Sequence, residues 1–189
     1  MRTIAAILSL SLLAGCETVG EALSEDEPNP GPCPTALSLY DAHRIVEFKG
    51  EELTYANVGF TGEILNVVRF CEYTDARATP IELDLGIRMA FGRGPAAEGR
   101  THTYHYFVAV TRKDMVVIDR EVYPITVTFP PGEDRVEIVQ EFEGIEIPRA
   151  NETLAGTNFE IIVGFELTEE QLAFNRSGMR FRVTAGQES

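Results

Sequence analysis

The chain is poor in positive charge. Lysine occurs only at Lys49 and Lys113, and 16 basic residues face 30 acidic ones, a formal net charge of −14. A surface of that sign does not neutralise phosphates, which excludes nucleic acid as a partner through its backbone. It is also ill suited to lie flat on anionic lipid. Cysteine is scarce: Cys16, Cys33 and Cys71 are the three, and no Cys-x-x-Cys spacing supports redox work. Long apolar runs are missing. Ile4 to Leu13 covers about ten residues, interrupted by Ser9 and Ser11, where a membrane-spanning helix needs roughly twenty. Catalytic signatures are missing too, with neither a Gly-x-Ser-x-Gly elbow nor a Ser-x-x-Lys. Gly92-Arg93-Gly94-Pro95 with Gly99 is followed by no Lys-Ser/Thr and opens no helix, so it reads as a connection between strands. Asp114, Asp119, Glu121, Glu133 and Asp134 lack the close oxygen register of a calcium loop. No catalytic residue, metal site or cofactor is therefore assigned from the sequence, and an enzyme is not expected.

The informative stretch lies at the start. Met1-Arg2 places a positive charge before the short apolar run, which closes on Leu13-Ala14-Gly15-Cys16. A short run with small residues at its end reads as a secretory signal. Those last four residues resemble the lipobox of bacterial lipoprotein precursors. The resemblance implies that residues 1–15 are removed, that Cys16 carries a diacylglyceryl thioether, and that the new amino group is acylated. Two chains anchor stably, since each buried methylene contributes about 0.8 kcal/mol. Glu17, standing where an aspartate favours inner-membrane retention, leans the location toward the outer membrane, facing the periplasm.

Export places the remaining cysteines, Cys33 and Cys71, in an oxidising compartment where they are expected to pair. The loop they close is worth about 4 kcal/mol in the chain-entropy account. Between lipid and domain, residues 16–32 read as a tether. Glu17, Glu21, Glu25, Asp26 and Glu27 repel one another, and Pro28, Pro30, Gly31 and Pro32 forbid a helix at its end. Extended, it holds the domain about 50 Å from the bilayer, and as a coil about 20–25 Å. Residues 33–189 form one domain, a length sufficient for a real core.

That domain reads as β. Ile81, Leu83, Leu85, Ile87, Met89 and Phe91 alternate with polar or small residues, the mark of a half-buried strand. Phe159 to Leu167, Tyr104 to Val110 and Tyr123 to Phe129 repeat the pattern. Ile64 to Tyr73 carries apolar residues on both faces, which predicts a central strand covered on both sides. Arg44–Phe48, Val136–Phe142 and Met179–Val183 bring the total to about eight strands. Lys113-Asp114 turns the chain into Val116–Asp119. Pro124 inside a strand pattern predicts an edge or a bulge. Thr168 and Gln171 make a capping box for a short helix over Glu169 to Arg176, with Gly178 beyond its end.

Many short strands with turns between them predict an all-β fold, an immunoglobulin-like β-sandwich. The rival is a lipocalin-like β-barrel, a family with a tryptophan near its first strand. This chain contains no tryptophan. The sequence of lipobox, acidic proline-rich tether, cysteine pair and β domain resembles the small Gram-negative envelope lipoproteins of unknown function.

Few residues suggest a site. His102 and His105 are three apart and face opposite sides of a strand, which argues against shared metal ligation; His43 is distant in sequence. Tyr104, His105, Tyr106 and Phe107 place aromatics on both faces of one strand and form the candidate interaction surface, with packing as the competing reading. The expected function is a non-catalytic binding or structural module anchored in the envelope. Its partners are the membrane, through lipid, and an envelope protein. The alternatives are a carrier of a small apolar or saccharide ligand and an envelope hydrolase, the latter requiring a histidine and a carboxylate, or two carboxylates, to converge in a cleft.

Overall fold

The strictest alternation in the sequence makes the most deeply buried strand. In the computed structural model, which describes residues 32–73, 80–113, 116–150 and 154–181, the strand Ile81–Arg93 keeps Ile81, Leu83, Ile87, Met89 and Phe91 at 0% exposure. Residues 1–31, which include the expected signal segment, Cys16 and nearly all of the tether, lie outside the described residues. So do Asp114 of the expected turn and the last two residues of the expected strand Met179–Val183.

In chain order the strands are β1 (Thr35–Ser38), β2 (Arg44–Phe48), β3 (Val58–Tyr73), β4 (Ile81–Arg93), β5 (Thr101–Arg112), β6 (Val117–Thr128), β7 (Arg135–Ile147) and β8 (Phe159–Phe165), followed by the helix α1 (Glu169–Arg176). Among the described residues they form two four-stranded sheets, ordered β1-β8-β5-β6 and β2-β3-β4-β7. This is a β-sandwich, and neither sheet closes into a barrel. β4 and β7 are antiparallel neighbours in one sheet while the hairpin β5–β6 lies in the other. That crossing is of the Greek-key kind found in immunoglobulin-type sandwiches.

The inner faces pack Phe91, Tyr104, Phe129, Phe159 and Phe165 among the aliphatic side chains of β4 and β8. Their approach is close enough to demand glycine at Gly62, where a Cβ would lie 2.9 Å from Ile45 Cγ2 and 2.9 Å from Phe165 Cζ of the facing sheet. Cys33 and Cys71 form a disulfide, joining the chain two residues before β1 to the inner face of β3. Tyr73 reinforces this corner by donating its hydroxyl to Pro32 O at 2.8 Å.

Four expectations are corrected. First, Ile64–Tyr73 is neither central nor covered on both sides. β2 pairs with β3 only as far as Glu63; Ile64 N still donates to His43 O at 2.8 Å, and from Asn66 onward β4 is the strand that pairs with β3 among the described residues. Leu65, Val68 and Phe70 are exposed at 37%, 56% and 62%. A bulge between Ile64 and Asn66 shifts the phase, so Ile64 points in while Val68 and Phe70 point out. The inner face is made by Ile64, Val67, Cys71 and Tyr73, and the outer apolar residues Val68 and Phe70 stand uncovered. Second, β1 was not anticipated. Its four residues pair in parallel with Glu160–Val163 of β8, too short a segment for alternation to show. Third, the expected segments Val116–Asp119 and Tyr123–Phe129 merge into the single strand β6, which runs from Val117 to Thr128. Pro124 sits in it at the sheet's edge, as a missing N–H requires. Fourth, Met179–Phe181 carry no strand. Phe181 instead packs its ring on Phe48 and Phe174 at 5.7 and 5.9 Å, beside an edge already occupied by α1.

The helix has the anticipated capping box. Thr168 Oγ1 accepts from Gln171 N at 3.2 Å, and Gln171 Oε1 accepts from Thr168 N at 2.9 Å. Gly178, one residue beyond the C-cap, has a positive φ of 79°. α1 lies along the outer edge of β2, and two side-chain amides on it do what a neighbouring strand would. Asn175 Nδ2 donates to Arg44 O at 2.9 Å and Gln171 Nε2 to Val46 O at 3.4 Å. Gln171 thus uses its oxygen for the helix and its nitrogen for the sheet.

Candidate functional site

The strand expected to offer aromatics to a partner keeps them. Tyr104 and Tyr106 are 1% exposed on the inner face of β5, and Phe107 is 8% exposed on the outer face. Phe107 is covered by Ala42 and by the Arg120 guanidinium, 4.4 Å above its ring. His105 alone of the four is exposed. The expectation of an interaction surface at Tyr104, His105, Tyr106 and Phe107 is therefore corrected. A strand with sheet neighbours on both edges and cover on both faces uses aromatics for packing. Burial raises the Tyr104 phenol above its ordinary range, with the Glu47 carboxylate adding to the effect, and pushes Tyr106 up to about 12. Tyr123 is also pushed up to about 12, by burial first and then by its hydrogen bond to Glu121.

The histidines go separate ways. His43 Nδ1 meets Tyr40 O at 2.5 Å. His102 and His105 fall on opposite faces of β5, as their spacing dictates. Among the described residues, no group of three or more His, Cys, Asp and Glu side chains gathers around a point.

His102 does acquire a partner that no local pattern announced. Its Nε2 lies 2.9 Å from Glu47 Oε1 on β2, so the pair bridges the two sheets at their rim. The imidazole stacks on Phe60 at 4.3 Å and meets Tyr104 edge-on at 4.5 Å. A histidine and a carboxylate are the parts of a general base. Thr101 and Thr103 turn away from it, pairing with Thr128 and Thr126 on the outer face at 3.0 and 2.8 Å, and the Tyr104 hydroxyl donates to Thr61 O at 3.1 Å. None of these three offers the dyad its hydroxyl.

The inner faces of the two sheets pack together as the core, and clefts lie outside it. One of about 600 Å³ runs between β2 and α1, lined by Phe48, Leu53 and Phe174 among others. Another, of about 440 Å³, shares Glu47, Thr168 and Gln171 with it and continues toward β5. A third, of about 360 Å³, lies over Gly86 between Val68, Phe70 and Glu141.

The sheet edges differ more than the clefts do. β2 is short and is bonded along its outer side by α1. β6 carries Pro124. β7, at the far edge of the second sheet, runs for 13 residues, and among the described residues no strand pairs with its outer side. Its inner face contributes Val136, Ile138 and Phe142 to the core. Its outward positions are Glu137, Val139, Glu141 and Glu143, with Val139 55% exposed. The sequence held a signal for this surface in the glutamates recurring through 137–146. What it lacked was any sign that β7 ends a sheet.

Among the described residues, no helix is long and apolar enough to cross a membrane. Compared with protein-family models, with curated proteins and with solved structures, the chain matches none of them.

Proposed function

We propose that this chain is a lipid-anchored, non-catalytic binding module of the bacterial envelope. In this reading, β7 receives an extended segment of another envelope protein as an added strand. The observation that carries it is the long unpaired edge of β7, in a fold that covers its shorter edge β2 with helix amides. An uncovered edge offers a row of free N–H and C=O groups, and strand addition takes its affinity from them. The carboxylates Glu141 and Glu143 oppose pairing between two copies of the same edge and favour a partner that brings positive charge, while Glu137 is engaged by Arg135 and Arg88. The anchor at Cys16 and the acidic tether set the working distance from the membrane, facing the periplasm from the outer membrane.

Photo-crosslinking in intact cells tests this. A crosslinking residue at Val139 is expected to yield a discrete adduct with an envelope protein, and one at Glu82, on the outer face of β4, is not. Failure to capture any partner from Val139 would overturn the strand-addition reading. The anchor is tested separately: Cys16→Ser is expected to abolish incorporation of labelled palmitate while the Cys33–Cys71 bridge persists. A variant still labelled would overturn the lipid anchor.

A further inference from the structure

We infer that the groove between β2 and α1 is a second binding site, for a peptide segment that carries lysine or arginine beside apolar residues. It goes beyond the reading of β7 and does not depend on it. The floor is apolar. Phe174 is buried and packs edge-on against Phe48 at 5.2 Å, and Leu53 stands 46% exposed at the opening. The rim is acidic: Glu47, Glu51 and Glu170 line it, and among the described residues no lysine or arginine does. Glu47 is engaged by His102, but Glu51 and Glu170 are exposed and take part in no ion pair among the described residues. The nearest basic side chain on this stretch, Lys49, is turned to Glu98 at 3.4 Å.

Charge decides what such a groove takes. A neutral acyl chain would bury Leu53 and Phe48 but strip water from two carboxylates with nothing to replace it, a cost that opposes binding. A cationic side chain over an apolar neighbour satisfies both features, burying the neighbour and pairing with the rim. The shape decides between a small molecule and a chain. The cleft is open, and Glu47, Thr168 and Gln171 form a wall common to it and to the adjoining cleft that reaches Val122, an arrangement suited to a chain lying across both rather than to an enclosed molecule. The carboxylate of Glu166 stands in that adjoining cleft and is held by Arg120, so the free negative charge is concentrated at the α1 end. An extended segment entering there sets its cationic residue between Glu51 and Glu170 and its apolar neighbour against Leu53.

The test uses the full chain in detergent solution and a short fluorescein-labelled peptide alternating leucine and lysine, read by anisotropy. Binding to wild type is expected, and the double variant Glu51→Gln, Glu170→Gln is expected to weaken it about fivefold, the scale of two exposed ion pairs. Leu53→Ser is expected to weaken it as well, while Glu141→Gln on β7 leaves it unchanged. Three results would each overturn the site: equal affinity in the double variant, equal affinity for a leucine–serine peptide, or equal loss in Glu141→Gln. The last would mark non-specific attraction to an acidic protein. The crosslinking test at Val139 reads a different surface, so either proposal can fail while the other stands.

Discussion

At one edge of the second sheet, the five residues of β2 lie beneath α1. At the other, the thirteen residues of β7 leave their outer backbone edge without a strand neighbour among the described residues, with glutamates on the solvent face. Both are edges, and both carry backbone groups that could template another chain. A short edge is covered by one turn or two of helix, and Asn175 and Gln171 reach its carbonyls with side chains. A long edge would need a much longer cover. Charge along it suppresses self-pairing and leaves the backbone available. The difference separates an edge the fold consumes from one it leaves open, and the predictions below either erase that difference or enlarge it.

The largest effect is expected from Phe174→Ala. Phe174 is 5% exposed and holds α1 on β2 through Val46, Val58 and Phe48. Truncation should destabilise the domain by about 3 kcal/mol, measured from the urea midpoint. It should also free β2 to exchange its amide hydrogens faster, making that edge behave more like β7. Unchanged exchange along β2 would mean that α1 does not protect it.

Alkali should act next, through the rings beneath the β6 and β7 edges. Tyr106 lies 5.8 Å from Tyr123, which in turn lies 4.9 Å from Phe142 of β7. The Tyr106 phenol ionises near its ordinary 10.0 when unfolded and about 12 when folded. Its contribution is whole below pH 10 and is lost as pH rises toward 12, because above 10 the unfolded chain releases a proton that the folded one keeps. Urea midpoints at about pH 9 and about pH 11 should fall in wild type and fall less in Tyr106→Phe. Equal falls in both proteins would assign the alkaline loss elsewhere.

A smaller change, Gln171→Glu, separates the two roles of one side chain. Glutamate still accepts from Thr168 N but cannot donate to Val46 O, so the loss should be about 1 kcal/mol. The helix signal in circular dichroism should persist. A loss of helix would show that the contact with the sheet, rather than the capping box, holds α1. Least of all, Glu141→Lys on β7 should shift stability by under about 0.5 kcal/mol, as exposed substitutions do. It should nonetheless reduce the Val139 adduct in cells. An undiminished adduct would remove charge from the account of partner choice.

How much of this could be read in advance depended on how local each feature was. β4 and β8 were legible because their alternation runs unbroken through long segments. α1 was legible because its cap is a matter of residues three apart. β3 misled at one place, the bulge at Leu65, since a single extra residue reverses every side chain after it. The aromatics of β5 misled for another reason. Residue type does not reveal whether a strand has neighbours, and β5 has β6 on one side and β8 on the other. The meeting of Glu47 and His102, 55 residues apart, left no trace in either stretch.

The sequence by itself determined the all-β character, the position of the helix and the restriction of Pro124 to an edge or a bulge. Each follows from periodicity, capping chemistry or a missing N–H, all of which act within a few residues. Tertiary structure alone decided which edges are covered and which are open, and with that the surfaces offered here for binding. The reason is physical. An edge is defined by the absence of a hydrogen-bonded neighbour, and neighbours in this sandwich are drawn from across the chain, β1 beside β8 and β4 beside β7. No local pattern encodes which strand will stand last.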